Sequence, residues 1–197
     1  MISRILPFLS ATALAIPLTG CVARSTSRIT NLEPLQLQEG ANLVPHLAPD
    51  GRQGLVVEGR QPFSAAPLII TMLPRSEGVR GWDVVELAAA DGSTVSTLDG
   101  RGRSVVFARA KVSGMPATLL FLAEPDPADP APAGSPRRIL IRTLRLQVEE
   151  NAARFEVMTT QSTRSRYCSS TDALAATYRL ALPDDGGSSD RCNKPAS

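Results

Sequence analysis

Ile139-Leu-Ile-Arg-Thr-Leu-Arg-Leu-Gln-Val-Glu149 is the stretch on which the fold class turns. Two periodicities compete in it. With period 2, Leu140, Leu144, Leu146 and Val148 share a face, Arg142 being the exception, and Thr143, Arg145, Gln147 and Glu149 point the other way. With period 3.6, Leu140, Leu144, Val148, Ala152 and Phe155 line one side of a helix. The residues that follow alternate again: Ala153, Phe155 and Val157 against Arg154 and Glu156, with Glu150-Asn151 between the two runs as a turn. The strand reading makes this region a β-hairpin.

Working outward, the same texture recurs. Leu55-Val56-Val57 is a short apolar run, and Leu68 to Leu73 is a second, closed by Pro74; an unbroken run of that length reads as a strand buried on both faces. Trp82 to Ala90 leads into Asp91-Gly92, a two-residue hairpin signal, with Ser93 to Leu98 as the partner. Val106, Ala108, Ala110 and Val112 alternate with Arg109 and Lys111, and Gly114 and Pro116 mark a turn before the apolar run Thr118 to Ala123. Glu124 to Pro136 holds five prolines, which exclude helix and central strand and predict an exposed, extended loop; a ligand for a proline-recognition module is the alternative. Ser170-Thr171-Asp172 resembles a helix start, Leu174 and Tyr178 would share a face, and Pro183 would end the helix. Many short strands with turns every 8–12 residues predict a mainly β fold: an antiparallel sandwich or barrel over 54–182 with a short C-terminal helix.

The chain begins with a different kind of segment. Arg4 provides a positive start, Ile5 to Pro17 is apolar, and small residues follow; the run is too short for the roughly 20 residues that span a bilayer. Leu18-Thr19-Gly20-Cys21 closes it. These four residues resemble the lipobox of bacterial lipoproteins. The resemblance implies cleavage before Cys21, a diacylglycerol on its thiol and acylation of the freed amine. Two or three acyl chains anchor stably where one is marginal. Val22, where the enterobacterial inner-membrane signal has aspartate, implies the outer membrane, with the domain facing the periplasm. Residues 21–53, polar at first and broken by Pro34, Pro45 and Pro49, read as a tether.

Composition narrows the function. Removing residues 1–20 from the 197 leaves 177, enough for one domain with a core. The net charge of +2 falls to +1 when Arg4 leaves with the signal, too little for a nucleic-acid binder. Three cysteines are present; with Cys21 lipidated, Cys168 and Cys192 remain in an oxidising compartment, and a disulfide between them would staple the polar tail 183–197. The alternative is two free thiols.

No catalytic constellation is evident. One histidine, His46, lies in the proline-broken segment, so a Ser-His-Asp or Cys-His site must use it. No CxxC, GxxxxGK[ST] or GxGxxG occurs, and neither a metal nor a cofactor is expected. Gly100-Arg-Gly102 reads as a turn rather than an anion nest. Glu58, Asp83 and Glu86 lie in or beside strands and are candidates for a carboxylate pair, against a solvent-face role. Trp82 is a candidate sugar platform or a packing residue. Arg137, Arg138, Arg142 and Arg145 form the densest basic run, a candidate contact for anionic lipid or glycan against a solvated face. The reading is a non-catalytic envelope lipoprotein that binds a ligand or serves a protein assembly. The alternatives are a carboxylate hydrolase and a lipid or polysaccharide carrier. A carboxylate pair in a cleft would favour the first alternative, an apolar cavity the second, and a flat apolar surface the main reading.

Overall fold

The computed structural model describes residues 28–60, 66–75, 79–88, 93–100, 102–132, 134–149 and 152–182. The signal segment with Cys21, the turn tips Asp91-Gly92 and Glu150-Asn151, Arg101, and the tail from Pro183 with Cys192 lie outside the described residues. In chain order the elements are β1 (Ile29–Pro34), β2 (Gly40–Val44), β3 (Gly54–Arg60), β4 (Pro67–Pro74), β5 (Trp82–Val84), β6 (Glu86–Ala88), β7 (Thr94–Val95), β8 (Leu98–Asp99), β9 (Ser104–Val112), β10 (Met115–Pro125), β11 (Ile139–Glu149), β12 (Ala152–Ser162) and α1 (Ser170–Tyr178).

They form a β-sandwich with a short C-terminal helix. The larger sheet runs β1-β9-β10-β11-β12-β6-β7. The smaller runs β2-β3-β4-β5, with β8 also on β4. Pairing is antiparallel throughout except between β12 and β6. The decisive hairpin is present: Leu144 faces Val157, Leu146 faces Phe155 and Val148 faces Ala153. Between β9 and β10 the turn residues Ser113 and Gly114 both have positive φ, 51° and 85°. That is the backbone twist a two-residue hairpin demands.

Around β10 and β11 the larger sheet is covered on both faces, and β10 shows how. Leu120 and Leu122 turn toward the smaller sheet, where they join Phe107, Leu144, Leu146 and Phe155 from their own sheet and Val56, Ile69 and Leu73 from the other. Phe107 and Phe155 meet edge-on, 5.9 Å between centroids. Leu119, Phe121 and Ala123 turn the other way and pack with Ile139, Ile141, Ala173 and Leu174 beneath α1. The unbroken run Thr118–Ala123 is thus a central strand with two cores.

Several expectations change. The stretch 28–53 is not a tether: β1 and β2 lie in it, and Val44, Leu47 and Ala48 are buried in the core. Its prolines are tolerated because β1 and β2 are edge strands and Pro34 and Pro45 sit at their ends. The domain therefore includes residues 28–53 as well as the expected 54–182. Trp82 to Ala90 is two strands, not one: β5 belongs to the smaller sheet and β6 to the larger, and the chain crosses at buried Val85, whose N–H donates to the Thr71 carbonyl at 2.8 Å. β7 and β8 divide Ser93–Leu98 in the same way; β6 and β7 do form a hairpin, but Ala88 pairs with Thr94, one residue out of the register that a two-residue Asp91-Gly92 turn would give, and the tip itself lies outside the described residues. The helix starts one residue early in its capping and stops short of Pro183. Ser169 Oγ accepts from the N–H groups of Thr171 and Asp172, and Arg179, with φ 54°, ends it.

The proline-rich segment is anchored rather than loosely extended. Its described prolines from Pro127 onward are exposed, but Asp126 and Asp129 are buried. Asp126 accepts from the Ser162 hydroxyl and from the Ala128 N–H at 2.9 Å. Asp129 accepts from the N–H groups of Arg138 at 2.7 Å and Ala131 at 3.2 Å and from the Arg166 guanidinium at 3.0 Å. These donors favour the charged form, so both carboxyls titrate below the ordinary value of 3.8. For Asp126 the Ser162 hydroxyl leads, and for Asp129 the Arg138 N–H. A carboxyl whose pKa is lowered on folding stabilises the fold above its unfolded value and ceases to as pH falls through the folded one. The anchoring is therefore expected to hold through neutral pH and to loosen only below 3.8. Amide exchange at Ala128, Ala131 and Arg138, followed by NMR from pH 6 to 3, checks this. The readout is protection relative to the intrinsic exchange rate, which itself falls in acid; protection that does not drop below pH 3.8 would contradict the expectation.

Candidate interaction surface

The smaller sheet packs one face inward, with Val44, Val56, Ile69, Thr71 and Leu73 buried. Its strands should then show the usual alternation, apolar inward and polar outward. They do not. The cross-strand register builds the outward face row by row. Leu43, Leu55, Met72 and Val84 form one row. Ala41, Val57 and Ile70 form the next. Gly59 and Leu68 form a third, with Asp99 beside Leu68, and Pro74 and Trp82 a fourth. Among the described residues that pair, no ionisable side chain interrupts this face until Asp99 at its corner. Leu43 is 61% exposed, Trp82 43% and Val84 42%, while Leu55, Val57, Ile70 and Met72 are half-buried by one another.

This corrects one expectation. Leu68–Leu73 has the composition of a strand buried on both faces, yet Leu68, Ile70 and Met72 remain half-exposed. The contrast with β10, whose two apolar faces are both covered by this chain, marks the outward face as unpartnered among the described residues. Sequence reading missed it because each strand alone looks like core; only the register brings the outward residues of four strands into one surface.

The other candidates disperse. Glu58 sits opposite Ile69 on one side of β4 and Asp83 opposite Leu73 on the other. Two strand spacings across and four residues along put them about 16 Å apart. Glu86 belongs to the other sheet, opposite Arg154. Asp83 is ion-paired to Arg75 at 2.8 Å. His46 is exposed on a turn, with φ 54°. Trp82 lies at the sheet edge, exposed, beside Pro74.

The basic run is spent inside the fold. Arg142 and Arg103 hold the two oxygens of Glu124, at 2.8 and 3.3 Å. Arg138 lies 3.8 Å from Asp129, and Arg137 donates to the Ala131 carbonyl. Arg145 turns to the opposite face from Arg142, opposite Glu156. No cluster of three or more His, Cys, Asp or Glu side chains able to hold a metal occurs among the described residues.

A cleft of about 210 Å³ opens at one end of the sandwich, between Leu73, Pro74 and Val79 on one side and Val148, Ala152 and Ala153 on the other. Arg52, Arg75, Asp83 and Glu149 rim it. Arg52 is held by Asp50 at 2.8 Å and by the Pro74 carbonyl at 2.9 Å. The volume is below the roughly 300–1,000 Å³ of small-molecule pockets.

No family model and no curated protein matches this chain. A solved structure described as "Crystal structure of CarG" is similar to it, with a TM-score of 0.54 at 14% sequence identity, covering 77% of this chain and 96% of that one. At that identity the likeness speaks for the fold and for nothing more. Among the described residues no helix is long and apolar enough to cross a membrane.

Proposed function

We propose that this protein is a non-catalytic lipoprotein of the bacterial cell envelope, held by acyl chains on Cys21 at the outer membrane, whose sandwich domain serves as a binding or assembly component. The observation that carries the reading is the outward face of the smaller sheet. A sandwich that leaves four strands' worth of apolar side chains uncovered is built to be covered by something else. The carboxylates that would serve a hydrolase are about 16 Å apart or in different sheets, wider than the roughly 5–10 Å such chemistry uses. The small cleft with its ion-paired rim supports a carrier less well than the open face supports docking.

The anchor is tested by metabolic labelling with radioactive palmitate. Wild-type protein is expected to take up label and to sediment with membranes, and Cys21→Ala to lose both completely. Label retained by Cys21→Ala, or absent from wild type, removes the lipoprotein part of the reading. The docking part is tested separately, by placing a photo-crosslinking residue at Leu43 or Val84 in cells; adducts from these positions, and none from exposed Thr160 on β12, are the expected result.

A further inference from the structure

We propose that the end of the sandwich from which the chain leads back to Cys21 rests on the bilayer, with Trp82 and its apolar neighbours seated among the phospholipid headgroups. This rests on the anchor read at Cys21, and it names the partner of the docking face as the lipid surface itself. Tether length selects the end. β1 opens at Ile29, opposite Val112, and the Ser113 N–H donates to the Arg28 carbonyl at 2.9 Å, so Arg28 is fixed beside the turn between β9 and β10. Seven Cα steps separate Cys21 from Arg28. At about 3.6 Å each they reach at most about 25 Å. β10 alone, with 11 residues, runs for about 36 Å. The tether is shorter than the domain is long. The end bearing Arg28 is therefore the one held at the membrane, and the end bearing the proline-rich segment points away.

The same end gathers exposed apolar side chains. The register puts Met115, the end of β11 and the start of β12 there. Arg109 donates to the Pro45 carbonyl at 2.9 Å and Thr118 Oγ1 to the Leu47 carbonyl at 2.6 Å, which brings the connection between β2 and β3 to it. The cleft sets Pro74 and Val79 there, against Val148 and Ala152. On the outward face of the smaller sheet, the rows nearest this end are Pro74 with Trp82, then Leu43 to Val84. Leu43, Val79, Trp82, Val84 and Met115 therefore share one end. They are five of the seven exposed large hydrophobic residues among the described residues; Val95 and Val157 lie elsewhere. A tryptophan ring, apolar with one polar N–H, suits the headgroup region.

Charge agrees with a phospholipid surface. At this end Asp50, Asp83 and Glu149 are ion-paired to Arg52, Arg75 and Arg154, at 2.8, 2.8 and 3.2 Å. Arg28, Arg80 and Lys111 are exposed and make no ion pair among the described residues. Glu33, the exposed carboxylate nearest them on β1, stands opposite Arg109. The surplus is positive, which anionic headgroups attract.

Trp82 is the only tryptophan of the chain, so its fluorescence reports this end alone. The experiment takes the full chain purified from membranes, reads acylation from its intact mass, and reconstitutes it in vesicles of equal parts phosphatidylethanolamine and phosphatidylglycerol, with or without bromine on the acyl chains. Bromine is expected to lower Trp82 emission at least twofold. Trp82→Phe combined with Met115→Trp should keep that quenching, and Trp82→Phe combined with Thr160→Trp, toward the far end of β12, should abolish it. An acylated protein whose Trp82 is quenched no more than a tryptophan at position 160 overturns this orientation and leaves the anchor standing. Absence of the acyl mass overturns the anchor and this proposal with it.

Discussion

Replacing Phe121 with alanine is expected to destabilise the domain by about 3–5 kcal/mol, the range for a fully buried aromatic removed from a core. Phe121 is fully buried on the helix side of β10, an interior strand of the larger sheet. Its ring packs on that of Tyr178, 4.6 Å between centroids. The Tyr178 hydroxyl in turn pairs with Thr143 Oγ1 at 2.7 Å and accepts from Gln161 Nε2 at 3.1 Å. One aromatic pair therefore joins the helix to three adjacent strands. Removing the Phe121 ring opens a cavity under α1 and leaves the Tyr178 hydroxyl network without its apolar support. In a domain of this size the loss corresponds to a melting point lower by about 6–20 °C. Tyr178→Phe is the informative companion. It keeps the ring contact and strips the hydroxyl from buried Thr143, which should cost only about 1–3 kcal/mol. Urea unfolding of the three proteins decides the matter: equal midpoints for Phe121→Ala and wild type would mean that the helix contributes nothing to the core.

That helix face is also where sequence and structure agree and part. The alternations in 139–149 and 153–157 are written plainly, because one side of each strand faces the inter-sheet core. The run Thr118–Ala123 was legible as a buried strand, since both of its faces meet apolar partners. Leu68–Leu73 has the same composition, but its outward residues stay half-exposed among the described residues, and composition cannot distinguish a face that is covered within the chain from one that is not. Prolines misled in two opposite ways. In 28–53 they suggested a tether, although Pro34 and Pro45 merely sit at the ends of edge strands. In 124–136 they suggested an exposed, extended loop; its prolines from Pro127 onward are exposed, but Asp126 and Asp129 pin it from within. The basic run 137–145 looked like a surface for anions, yet Glu124 and Asp129, close to it in sequence but across a strand or turn, pair with two of its four arginines, Arg142 and Arg138. Proline rules act on local backbone, and charge runs are read locally; both are overruled by which residue lies across the strand.

A bridge between Cys168 and Cys192 is proposed, and removing it with Cys168→Ser is expected to cost about 2–4 kcal/mol. The environment of Cys168 gives the bridge its purpose. The preceding residue, Tyr167, exchanges both backbone hydrogen bonds with Arg137, at 3.0 and 2.8 Å. The following residue, Ser169, caps α1. Cys168 therefore occupies a fixed point between the anchored proline-rich segment and the start of the helix, and a link from it would tie the tail to the most constrained part of the C-terminal region. The tail has few other means of attachment: Asp184 to Asp190 is wholly polar, with two glycines. A loop of about 25 residues closed in the unfolded chain accounts for about 3.5 kcal/mol on the chain-entropy model. Loss of the bridge should leave the two sheets intact, because every described strand ends before residue 163, and should speed proteolysis after residue 182 by at least an order of magnitude. Mass spectrometry of the non-reduced protein, alkylated before reduction, makes the test direct. A Cys168–Cys192 cross-linked peptide is the expected product; a Cys168 peptide alkylated without prior reduction would show that the tail is not covalently held.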